Sequence, residues 1–339
     1  MENRFLKLLA DAKTKDTPVM VDGAMGTQLM AAGLLFGDPP EQWNVMPDKM
    51  DKVRAVYRGY LDAGSQIILT NSFGGSPFRL KLHKLDGNTF ELNKAAAELA
   101  RLEAGDDEDA AVVAGSIGPS GELFRPMGNL THEVAVEGFA RQAEGLAAGG
   151  ADVLWVETMS DLQEVVAAVE GARKGAPDLP VAVTMTFDTR GFTMMGVSPA
   201  EAITQLAKLN LAAIGGNCGN GPDELEAVIY AMRLVRTDIP LIAKSNAGMP
   251  VLENGQVTYN ASPEVMAECA RRMRAFGATI IGGCCGSTPV HIHAMKQALQ
   301  TLPPLDASTL ELTVAMAMRA APNEGRRERR ARRDKEVVS

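Results

Sequence analysis

Ala278-Thr279-Ile280-Ile281-Gly282-Gly283-Cys284-Cys285-Gly286-Ser287-Thr288-Pro289 is the stretch that decides how this chain folds. A short apolar, β-branched run leads into a glycine-rich turn, and Thr288-Pro289 then supplies a helix cap with proline in the first turn. The segment reads as strand, turn and helix in direct succession. The same order recurs upstream: strand-like runs stand at 18–23, 66–73, 111–118, 152–158, 181–187, 212–218, 241–246 and 278–284. Helical stretches follow at 50–63, 89–103, 131–148, 161–173, 199–209, 222–236, 263–276 and 289–300. Ser198-Pro199 and Ser262-Pro263 repeat the start signal of Thr288-Pro289.

Strands separated by helices of this length must pair in parallel through crossover connections, and eight such units close naturally into a barrel. No G-x-G-x-x-G opens a helix after the first run, which speaks against a doubly wound sheet. The expected fold is an α/β (βα)8 TIM barrel over residues 1–302. Beyond Leu302, Pro303-Pro304 stops the last helix, 310–318 make an apolar strip, and 325–335 are arginine-rich. Residues 303–339 are expected to be an extension with a solvated tail, serving either as a dock for an acidic partner or as a solubilising end.

With 339 residues and 46% hydrophobic content, the chain can fill one large core, and a net charge of −8 argues against nucleic acid as its partner. The first 16 residues lack the apolar core of a signal peptide, and no apolar run approaches spanning length. The expectation is a cytoplasmic protein without membrane contact. Four cysteines in so long a chain do not make a disulfide framework, and a clustered set in a reducing compartment points to metal or catalysis.

Polar residues and glycines gather at the carboxyl ends of the runs: Asp22-Gly23, Asn71, Gly118-Pro119, Glu157-Thr158, Phe187-Asp188, Cys218, Asn246 and Cys284-Cys285. A barrel brings all eight ends to one rim, where its chemistry sits. Cys218 on the sixth strand can then meet Cys284 and Cys285 on the eighth. Three thiolates suit Zn²⁺, and a catalytic zinc keeps three protein ligands with its fourth position open. The alternatives are a structural zinc with another ligand, or three buried thiols; the C-x₂-C pairs usual in structural sites are missing. Cys269, inside a helical stretch, reads as a small core residue. His83, His132, His291 and His293 fall in loops or on helices away from the rim and are not expected to be ligands.

Val21-Asp22-Gly23-Ala24-Met25-Gly26-Thr27, Thr70-Asn71-Ser72-Phe73-Gly74, Gly115-Ser116-Ile117-Gly118-Pro119, Glu157-Thr158, Gly216-Asn217-Cys218-Gly219 and Gly282-Gly283-Cys284-Cys285-Gly286 together resemble the homocysteine S-methyltransferase family. The resemblance runs in order from about 18 to about 302. It implies a (βα)8 barrel, zinc held by Cys218, Cys284 and Cys285, and attack of the homocysteine sulfur on an activated methyl group to give methionine. The chemistry agrees, because a free thiol with a pKa near roughly 8.5 is only a few per cent thiolate at neutral pH. Zinc deprotonates it, and three thiolate ligands keep the metal electron-rich enough to leave the fourth sulfur nucleophilic. Holding that sulfur near the methyl group supplies up to roughly 7–11 kcal/mol.

By the same resemblance, Asp22 and Glu157 take the ammonium of homocysteine, a role suited to carboxylates making charge-assisted hydrogen bonds. Thr158 adjoins them. Backbone N–H groups of Gly23 and Ala24 and the turn from Ser116 to Pro119 offer anchorage for the carboxylate; a phosphate site in these loops is the competing reading, without a basic residue beside them. Asn246 resembles a position whose oxygen fills the open zinc site before substrate arrives, and supporting the turn is its other reading.

The family divides by methyl donor. Its betaine enzymes carry a tyrosine just after the phenylalanine of the second strand, where this chain has Gly74, and a cation–π cage needs that ring. The segment 71–75 and Gln42-Trp43-Asn44 look more like the homocysteine-binding module of cobalamin-dependent methionine synthase. The expectation is a stand-alone subunit receiving its methyl group from a separate methyl-corrinoid protein. A single-chain enzyme using betaine, another onium compound or S-methylmethionine is the alternative. A zinc thiol-binding protein without turnover is the alternative of another class.

Overall fold

The computed structural model describes residues 2–236, 238–253 and 256–310; the arginine-rich run and nearly all of the apolar strip before it lie outside the described residues. Ten strands follow in chain order: β1 Val19–Met20, β2 Ile67–Leu69, β3 Val112–Ile117, β4 Val153–Met159, β5 Val181–Met185, β6 Ala213–Cys218, β7 Leu241–Ser245, β8 Val251–Glu253, β9 Gln256–Thr258 and β10 Ala278–Gly283. Eight of them form one parallel sheet in the order β1-β10-β7-β6-β5-β4-β3-β2. The parallel bridge Val21↔Ile67 and the bond from Asp22 N–H to Ile67 O (3.1 Å) join its two edges, so the sheet closes on itself as the (βα)8 pattern requires. β8 and β9 are an antiparallel hairpin inserted after β7.

Period-two alternation divides the barrel residues between two cores. Val19, Val21, Ile67, Leu69, Val112, Ala114, Val153, Trp155, Ala182, Ala213, Ile242 and Ile280 point inward and make the inner cluster. Their neighbours Met20, Ile68, Val113, Leu154, Val183, Ile214, Ala243 and Ile281 point outward against the helices. One mouth of the inner cluster is plugged. The helix Arg4–Lys15, capped by Asn3, buries Phe5, Leu9 and Ala12 there, and Phe5 meets the Trp155 ring edge-on at 6.4 Å. Burying a Phe or Leu side chain is worth roughly 1.5–3 kcal/mol, so this helix is part of the barrel.

The helices expected from Ser-Pro and Thr-Pro starts form as Pro199–Leu206, Pro263–Ala275 and Pro289–Thr301. Ser198 and Ser262 accept from the N–H of Glu201 and Val265, while Thr288 N–H donates to His291 Nδ1 at 3.1 Å. His291 is thereby spent on its own helix start, and its other nitrogen faces Ala261 O. Cys269 is buried in the outer core on Pro263–Ala275. Periodicity gave no warning of several further elements, among them the hairpin, the seven-residue helix Met25–Ala31 after β1, and the 3-10 turn Pro40–Asn44. These three sit in long loops on the carboxyl rim. Among the described residues no helix is long and apolar enough to cross a membrane.

Candidate metal centre and substrate pocket

Cys218 ends β6 in the left-handed region (φ 57°), a conformation that costs an ordinary residue of order 1 kcal/mol or more and turns its side chain toward the eighth stave. Cys284 and Cys285 follow β10, and Gly286 (φ 76°) lets the chain leave them; a Cβ there would lie 2.3 Å from the Tyr259 ring. The three sulfurs come within 4.8 Å of one another, and Cys218 and Cys285 are 4.0 Å apart. A tetrahedral site with zinc–sulfur bonds of about 2.3 Å has edges of about 3.8 Å, so the trio fits one face of it.

The donor set also has a charge requirement. Hydrogen bonds from Cys218 and Cys284 draw the Cys285 thiol down to about 3. Those contacts and burial push Cys218 well above the usual thiol range; Cys284 is lowered by Cys218 but carried up to about 12 by Cys285 and burial. Three thiols this close resist ionising together, and a divalent cation bound among them would remove that resistance.

Two asparagines knit the ligand loops. Asn217 Nδ2 reaches Cys218 Sγ (3.6 Å) and Cys284 Sγ (3.7 Å), and the same side chain exchanges two hydrogen bonds with Thr158 (2.7 and 2.9 Å). Asn246 accepts from Cys285 N–H (3.1 Å) and donates to Gly219 O (2.7 Å), bridging the two cysteine turns. This is the turn-supporting geometry. Groups that orient metal ligands typically contribute 10–100-fold in affinity. Asn217→Ala is therefore expected to weaken metal binding by about that factor, measured by chelator competition, while the fold is kept; unchanged affinity would remove Asn217 from the site.

Beside the sulfurs lies a buried charged cluster. Asp22, 2% exposed, accepts from Leu69 N–H and from Lys244 Nζ, both at 2.7 Å. Glu157 accepts from Ser116 Oγ (2.5 Å) at a register irregularity of β4, where Thr158 takes φ 60°. Burial is the largest influence on all three ionisable groups. It drives Asp22 up and Glu157 up to about 7, and it presses down on Lys244, where the attraction of Asp22 and Glu157 more than compensates. Lys244 and Asp22 are each other's partner, Nζ to Oδ1 at 2.7 Å.

Asp22, Ser116, Glu157, Thr158, Asn246 and the three cysteines therefore converge on the rim that strand order predicts. The backbone amides fare differently. Ala24 N–H points at Ser287 O (3.3 Å), Ser116 N–H at Thr70 Oγ1 (2.9 Å) and Gly118 N–H at Phe73 O (3.0 Å), so these donors are engaged inside the protein. Sequence reasoning missed Asn217 and Lys244. The signal for both was a polar residue in phase with the inward positions of its strand: Asn217 follows Ala213 and Gly215, and Lys244 follows Ile242.

Trp43 is 6% exposed, with Lys49 Nζ and Lys52 Nζ lying 5.5 and 5.3 Å from its ring centroid. Its loop is pinned to the end of β2 by Asn44 Nδ2 to Asn71 O (2.8 Å), Asn71 Nδ2 to Pro40 O (2.8 Å) and Gly74 N–H to Glu41 Oε1 (2.7 Å). A Cβ at Gly74 would lie 2.9 Å from that Glu41 oxygen.

Known proteins share this architecture. The chain is 34% identical over 298 residues to methionine synthase of Mycobacterium tuberculosis, and 33% identical over 295 residues to that of Mycobacterium leprae. These matches cover 84% and 83% of this chain but only 25% and 24% of the relatives, so the chain spans about a quarter of their length. The metallated form of the homocysteine methyltransferase MmuM from Escherichia coli superposes with a TM-score of 0.70 at 25% identity, covering 85% of this chain and 98% of that one. Residues 19–299 match the homocysteine S-methyltransferase family model. Barrel, sulfur cluster and relatives agree: this chain belongs to the homocysteine S-methyltransferase family, a family of methyl-transferring enzymes.

Proposed function

We propose that this chain is a zinc-dependent methyltransferase that converts homocysteine to methionine, with residues 1–302 as the catalytic unit. The observation that carries the reading is the meeting of Cys218, Cys284 and Cys285 on one rim beside two buried carboxylates. Zinc held by the three cysteines would keep the substrate sulfur deprotonated and nucleophilic at neutral pH. Asp22 and Glu157 receive the substrate ammonium, and Ser116 fixes the Glu157 carboxyl. Asn217 holds Thr158 and Asn246 holds Cys285, keeping the cysteine turns in register. The four cysteines, all free of disulfides, suit a reducing, cytoplasmic compartment.

The methyl donor in this reading is a separate methyl-corrinoid protein. The cage expected for betaine calls for a ring at position 74, where Gly74 has no side chain, and Trp43 is buried with two lysines against its ring. Around the mouth, Phe36, Phe73, Met127, Met194 and Met249 are exposed on the loops that follow the strands, an apolar rim suited to a macromolecular donor. The second reading is a small onium donor such as betaine or S-methylmethionine. Zinc-loaded protein incubated with homocysteine and each donor in turn separates them. Methionine formed only with the methyl-corrinoid protein supports the proposal, and methionine from betaine or S-methylmethionine alone overturns it. X-ray absorption at zinc should gain a sulfur neighbour when homocysteine is added; a non-catalytic thiol-binding protein would form no methionine with any donor.

A further inference from the structure

Lys244 is the one lysine buried among the described residues, and nothing about a barrel stave calls for it. It faces inward on β7 in the phase of Ile242, paired across the sheet with Asn217 on β6 and Gly282 on β10. Gly282 lets the neighbouring backbone close up: a Cβ there would lie 2.4 Å from Val21 O and 2.8 Å from Asp22 O. The lysine stem thus lies in the barrel interior, with Nζ 6.0 Å from the Trp155 ring centroid and 2.7 Å from Asp22 Oδ1. Both side chains of the pair are at most 3% exposed.

A buried ion pair is a poor source of stability, since desolvation costs several kcal/mol per ion and apolar residues of similar size often serve as well or better. Its strength is geometric. A charge-assisted hydrogen bond from Nζ and a second from Leu69 N–H hold one lone pair on each Asp22 oxygen, which fixes the carboxylate plane and leaves its other lone pairs unclaimed. We propose that Lys244 is a positioning residue for the acceptor substrate: from inside the barrel it orients Asp22 to receive the ammonium of homocysteine, and so makes the enzyme prefer an amino-acid thiol over a thiol without the amine. This rests on the reading of Asp22 as an ammonium acceptor. Lys244 also places a cation beside both pocket carboxyls, Asp22 and Glu157, whose attraction raises its own pKa against burial.

The test is calorimetric binding of two ligands to the full-length, zinc-loaded protein: L-homocysteine, and 4-mercaptobutyrate, which keeps the thiol and carboxylate but lacks the amine. Binding is read directly, so no methyl donor is involved. In Lys244→Met the Kd for homocysteine should rise about tenfold or more, while the Kd for 4-mercaptobutyrate stays within about twofold. Equal weakening of both ligands would mean a structural role or a direct contact to the substrate carboxylate, and no change in either would mean no role; each overturns the proposal. Should Lys244→Met fail to fold, Lys244→Arg keeps the charge but replaces the point donor with a planar fork. It should retain zinc and lose part of the preference between the two ligands, and a parental preference would overturn the proposal. Asp22→Asn tests the underlying reading separately: if it binds both ligands at parental strength, Asp22 is not the ammonium acceptor, whatever Lys244 does.

Discussion

In the Cys285→Ala protein, stoichiometric zinc and methyl transfer to homocysteine are both expected to disappear. Cys285 lies 4.0 Å from Cys218, and its contacts with Cys218 and Cys284 lower its pKa, helped by the Tyr259 hydroxyl. Structural zinc sites bind with roughly 10–16 kcal/mol, so one ligand of four represents about 3–4 kcal/mol, or a hundred- to thousandfold in affinity. The barrel should survive. The side chain is only partly buried, and the bond to Asn246 comes from its backbone N–H, which alanine keeps. Metal content after dialysis, circular dichroism and methionine formation make the measurement. A variant that keeps one zinc per chain and parental turnover would remove the foundation of the proposed chemistry.

Glu157→Gln should separate stability from function in opposite directions. Burial, only partly offset by Lys244, raises the Glu157 carboxyl from 4.5 to about 7, so ionising it inside the fold costs about 3 kcal/mol. A carboxyl raised in the folded state contributes stability that is fully present below its unfolded value of 4.5 and lost as pH rises through about 7. Glutamine does not titrate and can still accept from Ser116 Oγ. In urea denaturation of the zinc-free protein, the variant should match the parent near pH 4 and exceed it by about 3 kcal/mol near pH 8. Homocysteine affinity should fall about 10–100-fold, because the ammonium loses a charged partner. A stability difference that is the same at both pH values would show that Glu157 is not held up by burial. The trade is the familiar one in which a site tolerates a costly group because binding requires it.

The order of strands and helices was legible because parallel staves are apolar on both faces and are punctuated by turn residues, a pattern that survives in one sequence. The cysteines were legible for a related reason: residues at the carboxyl ends of a barrel's staves gather on one rim, whatever their separation along the chain. Lys244 was not. A lysine within an apolar run looks like a solvent-facing position, and only its phase with Ile242 reveals that it points inward. Its partner lies 222 residues away, beyond any local pattern. The hairpin of β8 and β9 and the helix Met25–Ala31 were hidden because three-residue strands and a single cap without a side-chain bond leave almost no periodic signature. The amides of Ala24, Ser116 and Gly118 looked available because a sequence shows which donors exist but not which carbonyls or hydroxyls already hold them.

Cys218 and Cys285 stand 67 residues apart, on staves separated by a third. During synthesis the first thiol leaves the ribosome with no companion, and at ordinary elongation rates about 3–13 s pass before the other two are made. Metal loading by these three cysteines would therefore be a late event, possible only when the final βα unit docks and completes the ring. Acquisition of the ion would report that the barrel has closed.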